Sequence, residues 1–183
     1  EKTQATLSFG VIGGGGGIQK LAKNKKASWG LSYNYTNLAL AFAVIKQKQD
    51  YFNIPVFHEA DANFRIKTKT GGMIKYYGYL SLGKVGFRVN DIDSVNLKDA
   101  FRLKNNNTYH NINWRENLGK GWKLQAALSY SNNKDVISNE LQDANDNKIL
   151  VTNPAGYEFK NYAVVTQSDY AQARFVLEKR LKG

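Results

Sequence analysis

The sequence predicts an all-β fold, the wall of an antiparallel up-and-down transmembrane β-barrel with about seven or eight long strands. Three observations predict it: long runs of two-residue alternation, short and long links in strict succession, and a composition rich in Tyr, Gly and Asn. The alternation is plainest near the end of the chain. Ala171, Ala173, Phe175, Leu177 and Leu181 share one parity, while Gln172, Arg174, Glu178 and Arg180 share the other, with Val176 the apolar break. A period of two held over about eleven residues suits a tilted strand crossing a bilayer better than one crossing a small core.

The elements follow in order. Residues 3–18 alternate Ala5, Leu7, Phe9 and Val11 with polar or small neighbours and run into Gly13 to Gly17. A basic turn at 23–26 leads to a second segment carrying Trp29, Leu31, Tyr33 and Tyr35 on one side. The third, from about Phe57 to Lys69, sets Ala60, Ala62, Phe64 and Ile66 against Glu59, Asp61, Asn63, Arg65 and Lys67. It ends at the turn residues Thr70-Gly71-Gly72, a compact hairpin connection. The fourth carries Ile74, Tyr76, Gly78, Leu80 and Leu82, and the fifth, from about Thr108 to Leu118, carries Ile112 and Trp114. Gly119-Lys120-Gly121 turns the chain into the sixth, Trp122 to Ser131, and the alternation at 170–181 is the seventh.

The turns at 23–27, 70–72 and 119–121 are short, whereas the links near 37–56, 83–106 and 132–168 are long. This gathers the long loops at one end, as outer-membrane barrels do. A helical turn is expected within Ser94 to Leu103. Residues 1–183 are expected to form a single β-barrel segment. Seven crossings is an odd number, so either a strand is hidden in a loop, at 157–168 for example, or the sheet continues elsewhere.

Bulk composition narrows the classes. Eleven Tyr, nine Phe and three Trp stand with sixteen Gly and two Pro, favouring strands and turns over helices. A mean hydropathy of -0.51 and the lack of any long apolar run argue against helical spans. The absence of Cys removes disulfides and thiolate chemistry. The opening Glu1-Lys2-Thr3-Gln4 is no signal peptide, so an exported protein would be mature or a piece of something longer. The net charge of +11 raises nucleic acid as a partner, but aromatics alternate away from the cations instead of sharing their face. No nucleic-acid partner is expected.

Parity assigns candidate roles. Phe64, Ile66, Trp114, Leu124, Leu128, Phe175 and Leu177 are expected to face lipid. Arg65, Lys67, Arg115, Lys123, Gln125, Arg174 and Arg180 are expected to face a wet lumen. Tyr77, Tyr79, Asn111 and Asn113 are the candidate ligand contacts on that wet side. No catalytic residue, metal ligand or cofactor is assigned. The run Gly13 to Gly17 lacks the Lys-Ser or Lys-Thr of a phosphate cradle and suits a bend or the close approach of another backbone. His58 and His110 lack an orienting carboxylate at a telling spacing. A Ser-based hydrolase would need His110 close to Ser129 or Ser131.

The segments 57–82 and 109–130, the latter with its hairpin Asn-Trp-Arg-Glu-Asn-Leu-Gly-Lys-Gly-Trp-Lys-Leu at 113–124, resemble the barrel of TonB-dependent outer-membrane receptors. The Asn- and Lys-rich style is similar to that of members from the Bacteroidota. The resemblance implies part of a barrel of about twenty-two strands, lacking its plug and coupling box, in the bacterial outer membrane. It implies active uptake of a large or scarce solute. The partners it implies are outer-membrane lipid, a plug domain, the remaining barrel strands, an inner-membrane energy-coupling complex and a surface lipoprotein. Two alternatives remain: a small free-standing or secretion-associated barrel with a structural role, and a soluble antiparallel β-protein that binds a partner or glycan through its long loops.

Overall fold

The glycine run sets the geometry of the first hairpin. In the computed structural model, which describes residues 3–92, 94–150 and 158–180, the chain forms β1 (Gln4–Gly10) and then β2 (Gly13–Leu21). The alternation of residues 3–18 is therefore two strands, split at Val11-Ile12, where the sequence carries no turn residue. Glycines fill β2 because both neighbours come close. A Cβ on Gly14 or Gly16 would lie 3.1 or 3.2 Å from the β1 carbonyls of Ser8 and Thr6. On Gly15 or Gly17 it would lie 2.9 or 3.1 Å from the carbonyls of Tyr33 and Leu31. The approach of a neighbouring backbone is what such a run permits.

The remaining strands are β3 (Ala27–Asn37), β4 (Asp50–Lys67), β5 (Met73–Asn90), β6 (Lys98–Gly119), β7 (Trp122–Gln142) and β8 (Tyr162–Lys179). A short helix, α1 (Ala39–Val44), follows β3, and a 3-10 turn at Glu158–Lys160 precedes β8. All eight strands lie in one antiparallel sheet in sequence order. The strands are longer than the alternation suggests: β6 has 22 residues, about 70 Å at the usual rise per residue. The long links shrink to 38–49, 91–97 and 143–161 accordingly. Residues 98–103, expected in a helical turn, are strand, and the helix lies instead at 39–44.

The expectation of a closed barrel is corrected. Among the described residues β1 pairs only with β2, and β8 only with β7, so the sheet is open. The two edges are also mismatched, seven residues in β1 against eighteen in β8. Hydrocarbon cannot satisfy the N–H and C=O groups of such an edge, each of which costs several kcal/mol there. The expected transmembrane barrel wall and its outer-membrane setting are corrected on this ground, for the described residues.

Packing concentrates at the long-loop end. Ala100 and Leu141 are buried, and Phe42 of α1 meets Tyr51 at 4.9 Å between ring centroids. Tyr51 meets Phe87 at 6.1 Å, and Phe87 meets Phe101 at 5.2 Å. The guanidinium groups of Arg88 and Arg102 lie 4.6 and 4.8 Å from the centre of the Phe52 ring. Beside this cluster Lys160 donates to Asp91 at 2.7 Å and to Asp99 at 3.3 Å. Asn139 bonds both Asp99 and the Lys160 carbonyl. These contacts tie the approach to β8 onto the link between β5 and β6.

At the opposite end Glu116 closes the 68–72 turn. Its carboxylate accepts from Thr70 Oγ1 at 2.6 Å, Thr68 Oγ1 at 3.1 Å, Asn117 N at 3.0 Å and Trp114 Nε1 at 3.2 Å. These bonds, the one from Thr70 foremost, hold its pKa down to about 2 against the opposing effect of burial.

Candidate functional site

The strand registers carry each residue's parity across the whole sheet. One row runs Trp29, Phe64, Tyr76, Ile112, Leu128 and Ala173 by direct cross-strand pairing. The next runs Ile66, Ile74, Trp114, Ala126 and Phe175, and Leu124 pairs with Leu177. The residues expected to face lipid thus share one apolar face. Phe175 and Leu128 are 70% and 55% exposed there, while Leu124 is buried at 8%. The opposite face is polar: Gly30, Asn63, Tyr77, Asn111, Ser129 and Gln172 form one row, and Ser32, Asp61, Tyr79, Tyr109, Ser131 and Tyr170 the next. Arg65, Arg115, Lys123, Gln125 and Arg174 have this same parity, as do Lys67 and Arg180 at the strand ends.

On the polar face Tyr77, Asn111 and Asn113 come together. With Gln19, Asn63 and Lys75 they line an open depression of about 390 Å3. Its walls come from β2, β4, β5 and β6, so strand pairing rather than loop structure positions every side chain. Tyr77 is 42% exposed, and its ring lies 6.3 Å from that of Tyr109. The Asn113 amide donates to that of Asn111, which fixes both groups with capacity to spare, since each amide carries two donors and an acceptor. Tyr79, the fourth candidate, is not part of the lining. Its hydroxyl donates to Glu59 Oε1 at 2.8 Å, and Asp61 beside it accepts from Ser32. Gln19, Asn63 and Lys75 were not singled out from sequence, although Asn63 and Lys75 share the parity of Tyr77 and were legible on that ground.

This arrangement can hold a molecule with hydroxyl groups on its rim and C–H groups on its faces. Aromatic rings supply an apolar surface with a polar tip, and amides both donate to and accept from a hydroxyl. The hydrolase arrangement is a different matter. His110 pairs with Tyr130 on the apolar face, whereas Ser129 and Ser131 lie on the polar one. The sheet stands between them. His110 Nδ1 is instead 2.8 Å from the Tyr76 hydroxyl, and His58 Nδ1 is 2.7 Å from that of Tyr33. Gly13 to Gly17 lie inside a strand, which is not the loop before a helix that a phosphate cradle requires.

What fold and site define is an open antiparallel sheet whose tight-turn half has one apolar and one polar face. No protein-family profile matches the chain, no curated protein is similar to it, and no solved structure matches its fold. The resemblance to TonB-dependent receptors is therefore corrected, since neither a closed barrel nor a related sequence supports it. The reading as part of an outer-membrane transporter falls with it.

Proposed function

We propose that this chain is a β-sheet binding protein that holds a polyhydroxylated ligand, a glycan, on its polar face. The observation that carries the reading is the convergence of Tyr77, Asn111, Asn113 and Asn63 in one open depression, with Tyr109 adjoining. A site built on paired strands spends little of its binding energy on ordering side chains.

Calorimetric titration with a panel of neutral oligosaccharides (gluco-, manno- and xylo-hexaoses) tests this. At least one is expected to bind saturably, and Tyr77→Ala should weaken it about tenfold, the loss of one stacking ring. Asn113→Ala should weaken it several-fold. Leu128→Ala, on the apolar face, should change affinity by less than about twofold. Absence of saturable binding across the panel, or equal losses in Tyr77→Ala and Leu128→Ala, would count against the proposal.

A further inference from the structure

Cations gather at the tight-turn end of the polar face without an ion pair among the described residues. The Lys67 N–H donates to the Lys26 carbonyl at 2.7 Å, one step beyond the Ala27↔Ile66 pair, so Lys26 stands directly opposite Lys67. On the other side of β4, Arg65 stands directly opposite Lys75. Like charges facing each other across strands destabilise a sheet, and here two such pairs lie side by side. At the long-loop end the chain does the reverse: Arg88 pairs with Asp50, Lys98 with Asp146, Arg102 with Glu140 and Lys160 with Asp91. Among the described residues no ion pair uses Lys25, Lys26, Arg65, Lys67 or Lys75.

The cations are also held in place. Ser28 is 6% exposed, and its hydroxyl accepts from Arg65 Nε at 2.9 Å. That bond fixes the guanidinium plane and leaves its two terminal nitrogens for a partner. The turn before β3 is closed by Ala22 N to Ala27 O and Lys25 N to Ala22 O, both 2.8 Å. A further bond runs from Lys26 N to Asn24 Oδ1 at 3.0 Å, and Lys25 sits at a positive φ of 56°. Lys25, Lys26, Arg65 and Lys67 line one open cleft of about 400 Å3 around Ser28.

We propose that this cleft is a binding site for a multivalent oxyanion, a phosphate or sulfate group. A planar guanidinium offers such a group a two-pronged contact, and the lysines supply point charges around it. The repulsion between the facing Lys26 and Lys67, both in the cleft, is relieved when the anion is present. The inference stands independently of the saccharide reading, although Arg65 borders both the cleft and the Tyr77 depression. The anion is then either a small free ion or the acidic substituent of a saccharide lying on the adjoining surface.

Titration calorimetry and thermal melts of the full chain, with inorganic pyrophosphate and with a heparin-derived tetrasaccharide as probes, test the site and its source. Pyrophosphate should bind saturably and raise Tm. Arg65→Gln should weaken it about tenfold, the loss of a charge-assisted contact. Lys67→Gln gives a second readout that survives a folding defect in the first variant: it should raise the Tm of the free protein while weakening the probe. Lys46→Gln/Lys48→Gln, in the link after α1, should leave binding unchanged. Tetrasaccharide binding about tenfold tighter than pyrophosphate assigns the anion to a saccharide, and equal or weaker binding assigns it to a free ion. No saturable binding of either probe, or an equal loss in the Lys46/Lys48 variant, overturns the site.

Discussion

Lys160→Met is expected to destabilise the protein by about 3 kcal/mol, the cost of removing one member of a buried ion pair. Asp91 is only 6% exposed, and the Lys160 ammonium lies 2.7 Å from its carboxylate and 3.3 Å from that of Asp99. Methionine keeps the aliphatic stem and removes the charge, so the loss is electrostatic. Urea unfolding should show a lower midpoint at unchanged slope, and for a chain of this size Tm should fall by about 6–12 °C. Lys160→Arg, which keeps the charge, should recover much of the loss. The pH dependence has a definite sign. The hydrogen bond that Lys160 donates to Asp91, opposed by burial and reinforced by Asp99, raises the Lys160 pKa above its ordinary 10.5. Its stabilisation is therefore complete below pH 10.5 and disappears as pH rises through the raised value. A Lys160→Met protein as stable as the parent at neutral pH would contradict the role given to this contact.

Gly13→Ala is the second large expected effect, at about 2–3 kcal/mol. Gly13 has a positive φ of 149°, and a Cβ there would lie 2.0 Å from the Tyr35 carbonyl and 2.9 Å from Thr36 Cα. Both atoms belong to paired backbone, so β2 must move away from β3, and the β1–β2 hairpin then loosens from the rest of the sheet. Gly119→Ala provides the comparison. Its φ of 82° is equally unsuited to alanine, yet nothing lies within 4 Å of the added carbon. Only the conformational penalty remains, about 1 kcal/mol. Thermal unfolding of the two variants separates backbone collision from φ preference alone, and equal losses would show that β2 and β3 are not so closely paired.

Much of this fold is legible in the sequence because parity is local. The alternation at 171–179 marks the second half of β8, Leu181 lying outside the described residues, and that at 122–131 marks the lower half of β7. The separation of Phe64 and Ile66 from Arg65 and Lys67 onto two faces follows from a period of two. The middle of β6 is hidden for a different reason. In stretches such as Asn105-Asn106-Asn107 both faces are polar, so no alternation appears, and the pairing partner alone reveals the strand. In the upper half of β5 the alternation of Val85, Phe87 and Val89 runs on the opposite parity to that of Ile74, Tyr76 and Leu80. The break at Val11-Ile12 is hidden because its residues are apolar. Closure is illegible in principle, since an edge strand and an inner strand can carry the same alternation. The Lys160–Asp91 contact joins residues 69 apart in sequence, and no local pattern announces it. The anion cleft is intermediate. Its lysines stand out in the sequence, but the facing of Lys26 by Lys67 and of Arg65 by Lys75 requires the register.

The openness of the sheet is tested most directly by residue-resolved amide hydrogen exchange along β8. An inner strand such as β6 has partners on both sides, so protection should be continuous from Tyr109 to Asn113. In β8 one side pairs with β7 and the other with nothing among the described residues, so alternate amide groups lack a strand partner. Exchange from Tyr162 to Lys179 should therefore show a period of two, with every second amide fast. Continuous protection along β8, or cross-strand contacts between β8 and β1, would contradict the open sheet.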